Sequence, residues 1–216
     1  MTVTAKICGI NNPEAMRAAI TGRASHVGLV FYSPSPRAVN PGEAMALSAV
    51  VPERVQKVGL FVDPEDDQID KTLSVVKLDM LQLHGDETPD RVRDLKARTG
   101  KKVMKVIKVS EPEDLVRAEA YVRIADALMF DAKPPKGMKD ALPGGNAVSF
   151  DWRILSGRKW PLPWMLAGGL TKDNVATAVE LSGARIVDTS SGVEDVPGHK
   201  NVDKITEFLR AVAGIR

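Results

Sequence analysis

Residues 55–84 read VQKVGLFVDPEDDQIDKTLSVVKLDMLQLH. The stretch opens on an apolar, β-branched run (55–62) and closes on a second one (80–84). Between them Asp63 and Pro64 precede an acidic first turn, the pattern of a helix start, and an amphipathic segment follows. Strand, helix, strand in that order is the unit of a parallel sheet with a helical crossover.

The same alternation runs along the whole chain. Other strand-like runs are TAKIC (4–8), HVGLVF (26–31), KVMKVIKV (102–109), ALMFD (127–131), WMLAG (164–168) and ARIVDTS (184–190), which with the first two makes eight. Helix signals separate them. Asn12-Pro13-Glu14 puts a capping residue before proline at the first helical position. PGEAMALSAV, ETPDRVRDLKAR, EPEDLVRAEAYV, TKDNVATAVEL and NVDKITEFLRAV follow a similar plan, and FDWRIL is a brief helix candidate. Glycine closes helices in RTGKK and LSGAR, where a C′ residue belongs.

Eight units in 216 residues predict an α/β fold, a single (βα)8 TIM barrel with eight parallel strands and outer helices, spanning 1–216 as one domain. The rival is a doubly wound open sheet. No G-x-G-x-x-G follows the first strand, which lowers a dinucleotide-binding reading.

Composition narrows the class. The chain is 44% hydrophobic and 27% charged with a formal net charge of +2. Its basic residues are scattered, so a nucleic-acid partner is not expected. One cysteine excludes an internal disulfide and a multi-cysteine metal site, and suits a reducing compartment. The three histidines show no metal-ligand spacing, and His84 with Asp86 and Glu87 matches no carboxylate–histidine site. No apolar run approaches the ~20 residues of a membrane span, and the start of the chain does not read as a signal peptide. The expectation is a soluble cytoplasmic protein, monomer or homodimer, needing no metal and no cofactor.

Barrel active sites lie at the C-terminal ends of the strands. Side chains alternate between the interior and the helix layer. If Cys8 points inward, so does Lys6, while Ile7 faces the helices. The same parity groups Gln82 with His84, and Met129 with Asp131. Cys8, His84, Asp131 and Asp188 all fall at or near C-terminal strand ends. A thiolate can take a proton from carbon or attack an electrophile, and it needs nearby positive charge, which Lys6 could give. A carboxyl in a partly apolar pocket can serve as general acid. Each residue also has an ordinary explanation: packing for the cysteine, a cap for the aspartate.

Two loops point to phosphate. LAGGLTKDNV (166–175) ends strand seven with Gly168 and Gly169 and then starts a helix. DTSSGVEDVPG (188–198) ends strand eight with Ser190, Ser191 and Gly192. Barrels commonly bind phosphate there, on backbone N–H groups and a helix N-terminus. Arg37, the one charge in the proline-stiffened YSPSPRAVNP (32–41), suits a carboxylate or phosphate, or is simply solvated. The Lys-, Pro- and Gly-rich segment 132–149 is too long for a plain connector and reads as a mobile active-site loop or a surface insertion.

Taken in order, these stretches resemble the phosphoribosylanthranilate isomerase family of tryptophan biosynthesis. The motifs are KICGI, GLVFYSPSPRAV, VGLFVD, LQLHGDE, FDA, GG with FDW, LAGGL with NV, DTSSGVE, and PGHK with KI, and they cover essentially the whole chain. The resemblance implies an Amadori rearrangement of a small phosphosugar, N-(5′-phosphoribosyl)anthranilate, to 1-(2-carboxyphenylamino)-1-deoxyribulose 5-phosphate. It implies Asp131 as general acid at the ribose ring oxygen and Cys8 as general base at C2′. It places Arg37 on the anthranilate carboxylate, the loops of Gly168, Gly169, Ser190, Ser191 and Gly192 on the phosphate, Gly145 in a loop closing nearby, and His84 in the pocket. The chain departs from the family pattern at Asn146-Ala147, where Thr-Gly is usual, at Thr189 for valine, and at Asn201 for aspartate. The first departure puts that loop's phosphate contact in question. A synthase or histidine-pathway isomerase on a related barrel would favour another residue at Cys8. A non-catalytic phosphosugar-binding barrel would tolerate its loss.

Overall fold

The computed structural model describes residues 2–135, 137 and 142–215. Eight parallel strands close into a barrel in chain order. They are β1 (Thr4–Ile7), β2 (His26–Val30), β3 (Gln56–Phe61), β4 (Met80–Leu83), β5 (Lys102–Val109), β6 (Ala127–Ala132), β7 (Trp164–Leu166) and β8 (Ile186–Thr189). β1 closes the ring on β8, with Lys6 opposite Asp188 and Ile7 opposite Thr189. The open-sheet alternative is thereby excluded.

Helices α1 (Pro13–Thr21), α2 (Pro41–Ser48), α3 (Asp66–Val75) and α4 (Pro89–Thr99) fill the first four crossovers. α1, α2 and α4 begin as their sequences dictate: Asn12, Asn40 and Thr88 accept a backbone N–H, and proline follows each. α3 differs, starting at Asp66, two residues past Pro64, with no side-chain cap bond. One crossover departs from the expected helix, and another carries only the brief helix expected at FDWRIL. EPEDLVRAEAYV forms a 3-10 turn (Pro112–Leu115) and then only the one-turn α5 (Val116–Glu119). Between β6 and β7 stands a single 3-10 turn, Trp152–Leu155. That connection carries Pro134, Pro135, Pro143, Pro161 and Pro163, each lacking the donor a helix interior needs. Aromatic rings do the covering there. Trp160 and Trp164 lie 5.0 and 5.6 Å from Phe130 on β6, and Leu155 is fully buried. Positions 136 and 138–141 of segment 132–149 lie outside the described residues, and the described remainder past β6 forms neither helix nor strand.

α6 (Val175–Ser182) follows β7. Gly100 ends α4 at φ 64 and Gly183 ends α6 at φ 75, both in the left-handed region that glycine enters without a Cβ penalty. After β8 the chain makes an unanticipated hairpin, β9 (Glu194–Val196) and β10 (His199–Lys200), before α7 (Val202–Ala213). Pro197-Gly198, with Gly198 at φ 87, is its turn. Asn201 caps α7 by accepting from the Lys204 N–H.

The predicted strand parity holds. Ile7, Leu29, Phe61, Leu81, Leu83 and Phe130 pack outward in the large cluster between barrel and helices. Val58, Met80, Met104, Val106, Met129 and Met165 pack in the barrel interior. Methionine is adaptable enough to fill so irregular a space. Above that plug, toward the C-terminal ends of the strands, Cys8 packs with Val30 and Leu60. No helix among the described residues is long and apolar enough to cross a membrane.

Candidate active site

A pocket opens at the C-terminal mouth of the barrel. It encloses about 740 Å³ not filled by atoms, its opening to solvent included. Cys8, Arg37, His84, Asp131, Gly145, Gly168, Gly169, Ser190 and Ser191 all line it. Nine of the ten expected site residues, from seven different loops and strand ends, are thus brought together.

Cys8 sits one residue past β1 and is buried. Its N–H donates to the Thr189 carbonyl at 2.9 Å, and its own carbonyl accepts from Ser190 Oγ at 3.1 Å. Both bonds tie it to the end of β8. Burial pushes its thiol above the ordinary cysteine range; Lys6 opposes that push without overcoming it. A thiolate there therefore depends on the charges around it.

Asp131 lies across the mouth on β6. Its Oδ1 accepts from the Ala132 N–H at 2.9 Å, and its Oδ2 stands 3.1 Å from His84 Nε2. His84 Nδ1 meets the Gln82 amide at 3.1 Å. The β4 pair that parity grouped together is in contact and reaches Asp131. Gly144 lies over this pair, where a Cβ would stand 2.8 Å from Asp131 Oδ2. Only glycine allows backbone so close to the two side chains.

Arg37 is buried, not solvated. Nε and Nη2 donate to Glu194 Oε1 and Oε2, each at 2.8 Å, and Nη2 also reaches the Gly145 carbonyl at 3.1 Å. The bidentate partner inside the structure is thus Glu194, and Nη1 has no acceptor among the described residues. Lys200 Nζ bonds Glu194 Oε1 at 2.5 Å and the Ser190 carbonyl at 2.9 Å. Burial works against the Glu194 charge, but Arg37 and Lys200 outweigh it and hold the carboxyl below its usual range. Sequence reasoning missed Glu194 and Lys200, although both stand in quoted motifs, SSGVE and PGHK. Their contact with Arg37 is made by a hairpin that places them.

The remaining residues split by position. Gly168 (φ 93) and Gly169 (φ 62) turn the chain after β7, and Ser191 begins a 3-10 turn after β8. The N–H groups of Gly169 and Ser191 donate to no acceptor among the described residues. Gly192 packs under loop seven rather than on the wall, where a Cβ would stand 1.9 Å from the Leu170 carbonyl. Gly145 faces Arg37. Asn146 closes its own loop, accepting from the Leu142 N–H at 3.0 Å and donating to the Leu142 carbonyl at 2.7 Å. Thr189, the strand-eight departure, donates to the Leu170 carbonyl at 2.7 Å.

A closed eight-stranded barrel with a polar pocket of this kind at its C-terminal mouth is that of a (βα)8-barrel enzyme. Residues 5–211 match the family model described as N-(5′phosphoribosyl)anthranilate (PRA) isomerase, and the chain belongs to that family. It is 58% identical over 216 residues, all of both chains, to the N-(5′-phosphoribosyl)anthranilate isomerase of Paramagnetospirillum magneticum. The crystal structure of phosphoribosyl anthranilate isomerase from Thermotoga maritima superposes with a TM-score of 0.87 at 36% identity, covering 99% of this chain and 100% of that one. A phosphoribosyl anthranilate isomerase in complex with reduced 1-(o-carboxyphenylamino)-1-deoxyribulose 5-phosphate gives 0.84 at 34% identity, with the same coverage.

Proposed function

We infer that this chain isomerises N-(5′-phosphoribosyl)anthranilate to 1-(2-carboxyphenylamino)-1-deoxyribulose 5-phosphate in tryptophan biosynthesis, with Asp131 as general acid and Cys8 as general base. The observation that carries the assignment of roles is the placement of the Asp131 carboxyl and the Cys8 thiol on opposite sides of a single pocket. Ring opening needs a proton donor at the ribose ring oxygen. The resulting iminium makes the C2′ hydrogen acidic enough for a thiolate to remove. The enolamine then tautomerises to the ketone, so one proton is delivered and one taken, at different atoms.

Substrate orientation follows from the two ends of the pocket. The phosphate lies against the free N–H groups of Gly169 and Ser191. The anthranilate carboxylate takes the unpaired Nη1 of Arg37, whose other donors Glu194 and Gly145 occupy.

Purified protein given phosphoribosylanthranilate should abolish the substrate's fluorescence. A signal that persists at high enzyme concentration would overturn the activity. Cys8→Ala and Asp131→Asn should each lower kcat by about 10²-fold or more, with KM far less affected. Near-wild-type turnover in either variant would remove that residue from the mechanism.

A further inference from the structure

Lys6 takes no part in the steps above, yet it is one of the largest fully buried side chains in the protein. It points into the barrel one inward position below Cys8, and its Nζ donates to Asp188 Oδ1 at 2.8 Å. On the neighbouring strand β2 the inward residue is Gly28. A Cβ at Gly28 would stand 2.8 Å from Cys8 Sγ and 3.2 Å from Lys6 Cε. The sulfur and the lysine stem therefore share one hollow, left by a missing side chain. The hydrophobic side chains packed with Cys8, Val30 and Leu60, stabilise no charge.

We propose that Lys6 is the counter-charge of the Cys8 thiolate, a positioning residue that makes a base of an enclosed thiol, and that Asp188 sets how strongly this charge is felt. The proposal rests on Cys8 being the base. Cys8 is acted on by Lys6 from its own strand, Asp188 from β8 and Lys200 from β10. Asp131 and His84 act in turn on Asp188 from across the mouth. Burial raises the thiol, Lys6 and Lys200 draw it down, and Asp188 raises it. Burial also opposes the charge on Lys6, but Asp188 and Cys8 together outweigh it and keep the ammonium well above the ordinary lysine range. Lys6 thus holds a positive charge beside Cys8, and it is assigned no proton transfer in the reaction.

The two partners must act on Cys8 in opposite directions, which a purely structural role would not produce. Cys8 is the only cysteine, so thiolate absorbance or the rate of alkylation against pH reads this one group in the full-length protein. Lys6→Met should raise the thiol midpoint by about one unit or more, equivalent to ~10-fold slower alkylation below it. The acidic limb of kcat/KM should move with it. Asp188→Asn should lower the midpoint. Lys6→Met leaves a buried carboxylate unpaired, so Lys6→Met/Asp188→Asn, which restores neutrality, serves as the variant expected to fold, with its midpoint still above wild type. An unchanged midpoint in the double variant, or single-variant shifts of the same sign, overturns the proposal. A shifted midpoint with an unmoved kcat/KM profile also overturns it. Retained turnover in Cys8→Ala strikes instead at the base assignment, because the thiol titration of the other variants does not depend on catalysis.

Discussion

His84 Nε2 stands 3.1 Å from Asp131 Oδ2, while its Nδ1 is held by the Gln82 amide at 3.1 Å. With the amide nitrogen toward Nδ1, the neutral imidazole carries its proton on Nε2 and donates to Asp131. Both carboxyl oxygens then accept, one from His84 and one from the Ala132 N–H. A general acid must instead donate through one of them. In this arrangement Gln82 Oε1 is buried without a partner among the described residues. Turning the amide over satisfies that oxygen with Nδ1–H, moves the imidazole to its other tautomer, and makes Nε2 an acceptor for a protonated Asp131. The Gln82 amide thus bears on which ring nitrogen of His84 carries the proton beside Asp131.

Gln82→Met removes both amide groups and keeps the volume close. We expect kcat to fall about 10-fold with KM within about twofold, and the pH dependence of kcat to change. Steady-state kinetics across pH is the measurement. A variant with unchanged kcat and an unchanged profile would leave Gln82 as packing alone.

Glu194 gives a second test, this time of binding. Its carboxylate holds Arg37 by two bonds of 2.8 Å while Nη1 stays free. Glu194→Gln replaces that ionic grip with one neutral acceptor and leaves both Arg37 and Lys200 undercompensated. KM should rise about 10-fold, roughly 1.4 kcal/mol of binding, with a smaller loss in kcat. The unfolding free energy should fall by about 1–3 kcal/mol. An unchanged KM would separate Arg37 from substrate recognition.

What the chain discloses about itself follows a physical divide. Strand parity is a local, two-residue period, so Lys6 with Cys8, Gln82 with His84 and Met129 with Asp131 were readable from the sequence. Closure of the ring and the C-terminal position of the site followed from counting eight units. The Arg37–Glu194 and Lys6–Asp188 pairs were not readable, because their partners are 157 and 182 residues apart and meet only through barrel closure. The brief helix between β6 and β7 was readable in FDWRIL, but the aromatic cover beside it needed the packing. The roles of Cys8 and Asp131 came from family resemblance rather than from the residues themselves.

The lower end of the barrel yields a prediction on stability. His26 is buried, with Nδ1 2.8 Å from Ser25 Oγ. Burial first, and then the charge of Lys6, lower its pKa from 6.5 to about 4. The unfolded chain therefore takes up a proton near pH 6.5 that the folded chain refuses until about pH 4. Stability from this group is present above about pH 6.5 and is lost as pH falls toward about 4, by about 3 kcal/mol over that window at ~1.4 kcal/mol per unit. Urea titrations of the wild type and His26→Gln at about pH 7 and about pH 4.5 should converge as acid removes the advantage of the histidine. A difference between the two proteins that is the same at both pH values would contradict it.

Ala147 carries the last test, on the loop that departs from the family pattern. Its φ is 56°, in the left-handed region that favours glycine. A Cβ there costs about 1–2 kcal/mol, while the Asn146 clasp on Leu142 holds the turn in place. Ala147→Gly relieves the strain but adds freedom to the unfolded chain, which offsets part of the gain. The net expectation is a stabilisation of about 0.5–1 kcal/mol, read by urea unfolding. Asn146→Ala should destabilise by about 1 kcal/mol through its two lost bonds, and by less in a chain that already carries Ala147→Gly. Destabilisation by Ala147→Gly would show that the methyl group contributes more through packing than it loses through backbone strain.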